Sequence, residues 1–163
     1  QTPTGDPGAV DNVESWDGTN WTETTDTSTV RNGGAGGGTQ TAALVTGGGP
    51  PFTANNEQWD GSSWTELNNI NTARAHARFS GTSTEAINIS GISTIFETKT
   101  EEWDGTSWTE AADINTNRIT GAASTGSASA AVYAGGNLNP GGPKTAATEE
   151  WTKAVAASSF TSS

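Results

Sequence analysis

The apolar positions of this chain fall into a pattern that returns along its length. All seven tryptophans belong to one motif. It reads Glu14-Ser15-Trp16-Asp17-Gly18-Thr19-Asn20-Trp21-Thr22-Glu23, then Glu57-Gln58-Trp59-Asp60-Gly61-Ser62-Ser63-Trp64-Thr65-Glu66, then Glu101-Glu102-Trp103-Asp104-Gly105-Thr106-Ser107-Trp108-Thr109-Glu110. A shorter fourth copy is Glu149-Glu150-Trp151-Thr152. The first Trp recurs at spacings of 43, 44 and 48 residues, and Arg31, Arg74 and Arg118 each follow the second Trp by ten. A period of this length is the mark of a repeat architecture.

Each copy predicts the same elements. Asp-Gly inside a four-residue loop is a hairpin turn, because glycine takes the positive φ that other residues resist. Such a turn sets the two Trp of a copy opposite each other on paired strands, where an aromatic pair contributes about 0.5–1.5 kcal/mol beyond its area. Upstream lies a small-apolar strand ending in glycine: 41–46 before Gly47-Gly48-Gly49, 86–90 before Gly91, and 130–134 before Gly135-Gly136. Before that, a Gly/Ala/Ser-rich segment follows each Arg and reads as a further strand. Four short strands in about 44 residues make one blade of a propeller.

This order of Arg, small-residue strand, apolar strand ending in Gly-Gly, acidic-aromatic strand and Trp strand resembles the kelch repeat. The Trp-Asp-Gly-Thr-Ser-Trp-Thr-Glu version is similar to kelch-like arrays in structural proteins of marine bacteriophages, and Ala146-Ala147-Thr148-Glu149-Glu150-Trp151-Thr152 resembles the end of such arrays. The resemblance covers residues 13 to 153. It implies an all-β fold of kelch-like β-propeller blades, each of four antiparallel strands, with about three to three and a half blades. It also implies that Arg31, Arg74 and Arg118 sit near the inner end of the blade and bond neighbouring loops. The third copy has one glycine, Gly91, where the family has a pair, so its turn is expected to differ.

The repeat divides the chain into a partial blade over 1–31, blades over 32–74 and 75–118, and a last partial blade with the C-terminal end over 119–163. Residues 1–12 resemble the loop that precedes the second copy. Joining the two ends gives about three blades, fewer than the four to eight of a closed propeller. Three completions are expected: a longer parent chain, pairing with a second copy, or neighbours in a filament. Unpaired Trp-bearing strands would otherwise be exposed, which favours an oligomer or a longer parent.

Composition adds restrictions. The hydrophobic fraction of 31% rises to roughly 44% with the 21 glycines, near the usual share, so a packed core is available. The net charge of −11 and the absence of clustered cations argue against a nucleic-acid partner and against a polybasic membrane contact. With no Cys there is no disulfide framework or thiol chemistry. No apolar run approaches a membrane span, and residues 1–10 do not read as a signal peptide. The absence of Met reads as processing, or as a start partway through a longer polypeptide.

Candidate chemistry is sparse. One histidine, His76, supports neither a Ser-His-Asp nor a Cys-His arrangement, and it is too little for zinc. It follows Arg74, where the connection between blades belongs, and reads as a loop or packing residue. Glu14, Glu57, Glu101 and Glu149, with Asp17, Asp60 and Asp104, invite a paired-carboxylate glycosidase reading. Because they recur with the repeat, turn formation and strand-edge solvation are expected of them instead. The stretch Asn32-Gly33-Gly34-Ala35-Gly36-Gly37-Gly38-Thr39 lacks the Lys-Ser/Thr ending of a phosphate loop. No cofactor, metal or catalytic residue is expected.

The tryptophans Trp16, Trp21, Trp59, Trp64, Trp103, Trp108 and Trp151, with the three arginines, read as structural. Binding candidates come from the loops that differ between copies (49–56, 92–99 and 137–147): Phe52, Asn55, Phe96, Asn137 and Asn139. Asn20-Trp21-Thr22 and Asn88-Ile89-Ser90 are formal glycosylation sequons, with Asn20 the better placed because Asn88 lies in an expected strand. The expected function is a non-enzymatic virion structural or appendage protein, at the virion surface or extracellular. Its partners would be copies of itself or other subunits, and surface carbohydrate. The alternative is a cellular extracellular filament subunit or surface adhesin.

Overall fold

The computed structural model describes residues 8–119, 123–138 and 142–153. Among them are thirteen strands and no helix. β1 (Glu14–Trp16) and β2 (Trp21–Glu23) form a two-stranded sheet. β3 (Ala35–Thr39), β4 (Ala42–Thr46), β5 (Asn56–Trp59) and β6 (Trp64–Leu67) form a four-stranded sheet in chain order. β7 (Arg78–Gly81), β8 (Ala86–Ile89), β9 (Thr100–Trp103) and β10 (Trp108–Glu110) repeat it. β11 (Ala123–Gly126), β12 (Ala130–Asn137) and β13 (Lys144–Thr152) form a three-stranded sheet. Every pairing is antiparallel between neighbours in sequence, so the array is all-β: two whole four-stranded blades flanked by two partial ones.

The Asp-Gly turns set the register of the outer hairpins. Gly18, Gly61 and Gly105 take φ of 100°, 98° and 94°. The Asp60 Oδ1 accepts the amides of Ser62 and Ser63, both at 2.8 Å, and Asp17 and Asp104 do the same in their turns. With the turn fixed, Trp16 stands opposite Trp21, Trp59 opposite Trp64, and Trp103 opposite Trp108. Their ring centroids lie 5.4, 5.3 and 5.3 Å apart, tilted by 36–44°.

The first strands of successive blades lie against one another, β3 against β7 and β7 against β11. This close approach explains Gly37 of β3, since a Cβ there would stand 2.8 Å from the Phe79 ring on β7. Most of the Gly-rich stretch 32–39 is thus a strand packed on its neighbour.

Two hydrophobic clusters join the blades. Leu44 and Ile70 of the second blade meet Ala86, Trp103 and Trp108 of the third. Ile87 and Ile89 of the third meet Ala131, Tyr133 and the partly buried Trp151 of the last. The Trp103–Trp108 pair and Trp151 therefore each face the blade before them.

The turn after the second strand departs from expectation. Gly47-Gly48 has φ of 62° and 121°, Gly135-Gly136 has 64° and 123°, and Ser90-Gly91 has 61° and 112°. The single glycine leaves the turn unchanged. A Cβ at Gly47 would meet the Arg74 carbonyl at 2.3 Å. Ser90 carries a Cβ, and its hydroxyl lies within hydrogen-bonding reach of the Glu97 and Arg118 carbonyls, which offsets the strain of its left-handed backbone.

Candidate functional site

The recurring arginines form three equivalent staples between blades. Arg31 follows β2, and its Nη2 donates to Glu57 Oε1 on β5 at 2.6 Å. Arg74 follows β6 and reaches Glu101 Oε1 on β9 at 2.9 Å; Arg118 follows β10 and reaches Glu149 Oε1 on β13 at 2.6 Å. The terminal nitrogens also donate to backbone carbonyls: Gly47 and Asn55 for Arg31, Asn88 and Lys99 for Arg74, Tyr133 for Arg118. In all three the Nε–H is buried without a partner, so each staple is bonded through its terminal nitrogens alone.

The carboxylates complete the clamp by accepting amides of the loop that carries the arginine. Glu57 takes those of Ser28 (2.7 Å) and Thr29 (3.2 Å). Glu101 takes Asn71 (2.6 Å) and Thr72 (3.3 Å), and Glu149 takes Asn115 (2.6 Å). Burial pushes the Glu57 carboxyl up, but the Arg31 guanidinium and the Ser28 amide outweigh it and leave the group below its ordinary 4.5. Glu149 is likewise lowered, with burial opposed by the Asn115 amide and Arg118.

Strand-edge solvation, expected of these glutamates, is therefore wrong for Glu57 and Glu101, whose side chains are fully buried. β5 and β9 are interior strands, and their carboxylates point at the loop leaving the preceding blade. The aspartates do form the turns, with the Ser63 amide and then the Ser62 hydroxyl holding Asp60 down to about 2.

A second contact repeats within each blade. The indole Nε1 of the third-strand Trp donates to a carbonyl in the turn between the first and second strands. Trp59 donates to Gln40 at 2.9 Å, Trp103 to Ser83 at 3.0 Å and Trp151 to Ala128 at 3.2 Å.

The first sheet is different, because among the described residues β1 and β2 have no first or second strand beside them. Trp16 and Trp21 are 43% and 63% exposed, against 1% and 6% for Trp103 and Trp108. Between this sheet and the second blade lies a cavity of about 920 Å³, lined by Val13, Ser15, Gln40, Thr41, Trp59 and Trp64 among others. Thr24 also lines it, and its hydroxyl is buried without a partner. Counting from the motif Trp, Thr24 and Thr27 stand where the second blade has Leu67 and Ile70, so the face toward the Trp59–Trp64 pair lacks the apolar groups that seal the next interface.

The loop candidates differ in their surroundings. Asn55 donates from Nδ2 to the Thr29 hydroxyl at 2.9 Å and gives its carbonyl to Arg31. Phe96 is buried, and Phe52 half-buried. Asn137 ends β12, exchanging backbone bonds with Ile119, and Asn139 lies outside the described residues. His76, at φ 55°, has its ring where a Cβ on Gly33 would fall and its amide bonded to the Gly33 carbonyl, so it packs the junction between two first strands. Asn20 is exposed in its turn, whereas Asn88 is fully buried with Nδ2 on the Thr46 hydroxyl. Among the described residues no group of three His, Cys, Asp or Glu is placed to hold a metal, and no helix is long and apolar enough to cross a membrane.

No protein-family description and no curated protein sequence matches this chain. A solved structure does match in shape: that of YjhT superposes with a TM-score of 0.65 over 78% of this chain, at 14% identity. The chain spans 45% of the YjhT chain. At that identity the likeness shows an all-β, propeller-like fold and nothing of activity.

Proposed function

We propose that this chain is a non-enzymatic scaffold module built of kelch-type blades, serving as a fibre, decoration or appendage element of a bacteriophage virion and contacting host surface glycans through its variable loops. The observation that carries the scaffold reading is the threefold Arg–Glu staple. Arg31, Arg74 and Arg118 with Glu57, Glu101 and Glu149 are the recurring charges best suited to bind or catalyse, and all six are taken up in joining one blade to the next. The virion assignment rests on the resemblance of the Trp-Asp-Gly-Thr-Ser-Trp-Thr-Glu repeat to phage structural arrays. An acidic surface with net charge −11 suits a particle exposed to water.

Mass spectrometry of purified virions tests this. The chain is expected among the particle proteins at a stoichiometry of several copies, and its absence there overturns the virion reading. A glycan array probed with the chain and with variants shortened in 49–56 and 92–99 tests recognition, and the lack of any loop-dependent binding removes the glycan role of the loops. The open edge of β1 favours one second reading, an extracellular filament subunit or adhesin. Microscopy showing fibres with this chain as their repeating subunit would select it.

A further inference from the structure

The three complete staples act as an internal template for the first sheet, and four of its groups lack what the template supplies. Glu14 stands at the position of Glu57 and Glu101, opposite Glu23 as they stand opposite Glu66 and Glu110. Its carboxylate is exposed and meets no arginine among the described residues. Trp16 stands at the position of Trp59 and Trp103, yet among the described residues no turn carbonyl receives its indole N–H. Because the Asp17 amide bonds Asn20 and the Thr24 amide bonds Val13, the backbone groups of Glu14 and Trp16 point away from β2, toward the empty edge. The Trp16–Trp21 pair itself is uncovered.

This chain's own arginines are committed elsewhere. Arg31, Arg74 and Arg118 hold the three staples, and Arg78 is engaged on β7. A second copy brings the same four residues in the same use. One side chain already occupies part of the edge: the Gln40 Nε2 donates to the Trp16 carbonyl at 2.7 Å.

We propose that the open edge of β1 is a receptor for an arginine-bearing β-hairpin supplied by a polypeptide segment outside these 163 residues. The second strand of the hairpin pairs antiparallel with Glu14 and Trp16 and displaces the Gln40 amide. Its turn offers a carbonyl to the Trp16 indole. An arginine just ahead of its first strand closes on the Glu14 carboxylate, as Arg31 ahead of β3 closes on Glu57. Residues 24–48 of this chain, which carry Ser28, Thr29, Arg31, β3 and β4, have the required chemistry and contain no tryptophan. This inference deepens the scaffold reading by naming the partner of its open end. Failure of the hairpin to bind leaves virion association standing, and absence from virions leaves the receptor standing.

The test uses a synthetic peptide of residues 24–48 and the intact chain. Saturable binding is expected by calorimetry, with a blue shift of the chain's tryptophan emission as Trp16 and Trp21 are covered. Glu14→Gln in the chain, or Arg31→Gln in the peptide, is expected to weaken binding about tenfold, and the two together no more than either alone. Gln40→Ala is expected to leave binding equal or tighter. Because a free peptide can aggregate, the same 25 residues are also fused ahead of Gln1, and hydrogen exchange is read at the amides of Glu14 and Trp16. Protection of both supports the receptor. No saturable binding together with no protection overturns it, as does binding indifferent to both Glu14 and Arg31. Protection of these amides in the unliganded chain through dimerisation also overturns it, by assigning the edge to a second copy.

Discussion

The first and third blades carry nearly the same ten-residue motif in opposite surroundings. Trp103 and Trp108 are sealed against Leu44, Leu67 and Ile70, and Glu101 is clamped by Arg74. Trp16 and Trp21 face outward, and Glu14 is exposed. The hairpin is the same in both, with matching register and nearly identical ring geometry. The turn therefore makes the Trp pair by itself, while burial depends on the preceding blade. What a motif residue contributes is set by its neighbour rather than by its own strand.

This contrast can be broken by substitution. Trp103→Ala is expected to cost about 3–5 kcal/mol, because a fully buried ring leaves a cavity between two blades. Trp16→Ala is expected to cost less than about 1 kcal/mol, since the half-exposed ring has little covering to lose. Urea unfolding midpoints of the two variants measure the difference, and equal losses would contradict it. Arg74→Ala is expected to cost about 3–5 kcal/mol by stranding the buried Glu101 carboxylate, whereas Glu14→Gln is expected to change stability by no more than about 0.5 kcal/mol.

Acid sharpens the comparison further. Glu57 and Glu149 have folded-state values below the ordinary 4.5, so the stability they add is present above 4.5 and lost as pH falls through those lowered values. Asp60, held down to about 2 from 3.8, extends the loss toward pH 2. The thermal midpoint is expected to fall on acidification below 4.5, and Glu57→Gln is expected to flatten that fall; an unchanged slope in the variant would remove Glu57 from the acid response. The smallest effect is expected at the first interface. Thr24→Val removes a buried hydroxyl without a partner and should raise stability by roughly 0.5–1 kcal/mol in the same urea assay.

The blades were legible because each element repeats with its turn chemistry intact. Trp-Asp-Gly fixes a hairpin, an apolar run ending in glycine fixes the second strand, and copies in one register leave little freedom. The glutamate role was not legible from local pattern. Arg31 and Glu57, Arg74 and Glu101, and Arg118 and Glu149 are far apart in sequence and meet only when one blade packs on the next. The available signal was that two opposite charges recur together in each copy. Ser90 misled for a related reason: sequence shows the missing glycine but not the crowding carbonyl that its hydroxyl can bond. The openness of the first interface was visible in part, in Thr24 and Thr27 set against Leu67 and Ile70.

The staple also bears on how such a chain can change length. Each arginine precedes the first strand of a blade, and its glutamate lies on the third strand of that same blade. A duplication or deletion of one whole repeat, cut at any point in the period, therefore rejoins an arginine to a glutamate at every new junction. A cut out of phase strands one charge in a buried site. The ion pair thus acts as a reading frame for the array, permitting growth and loss by whole blades and penalising every other length.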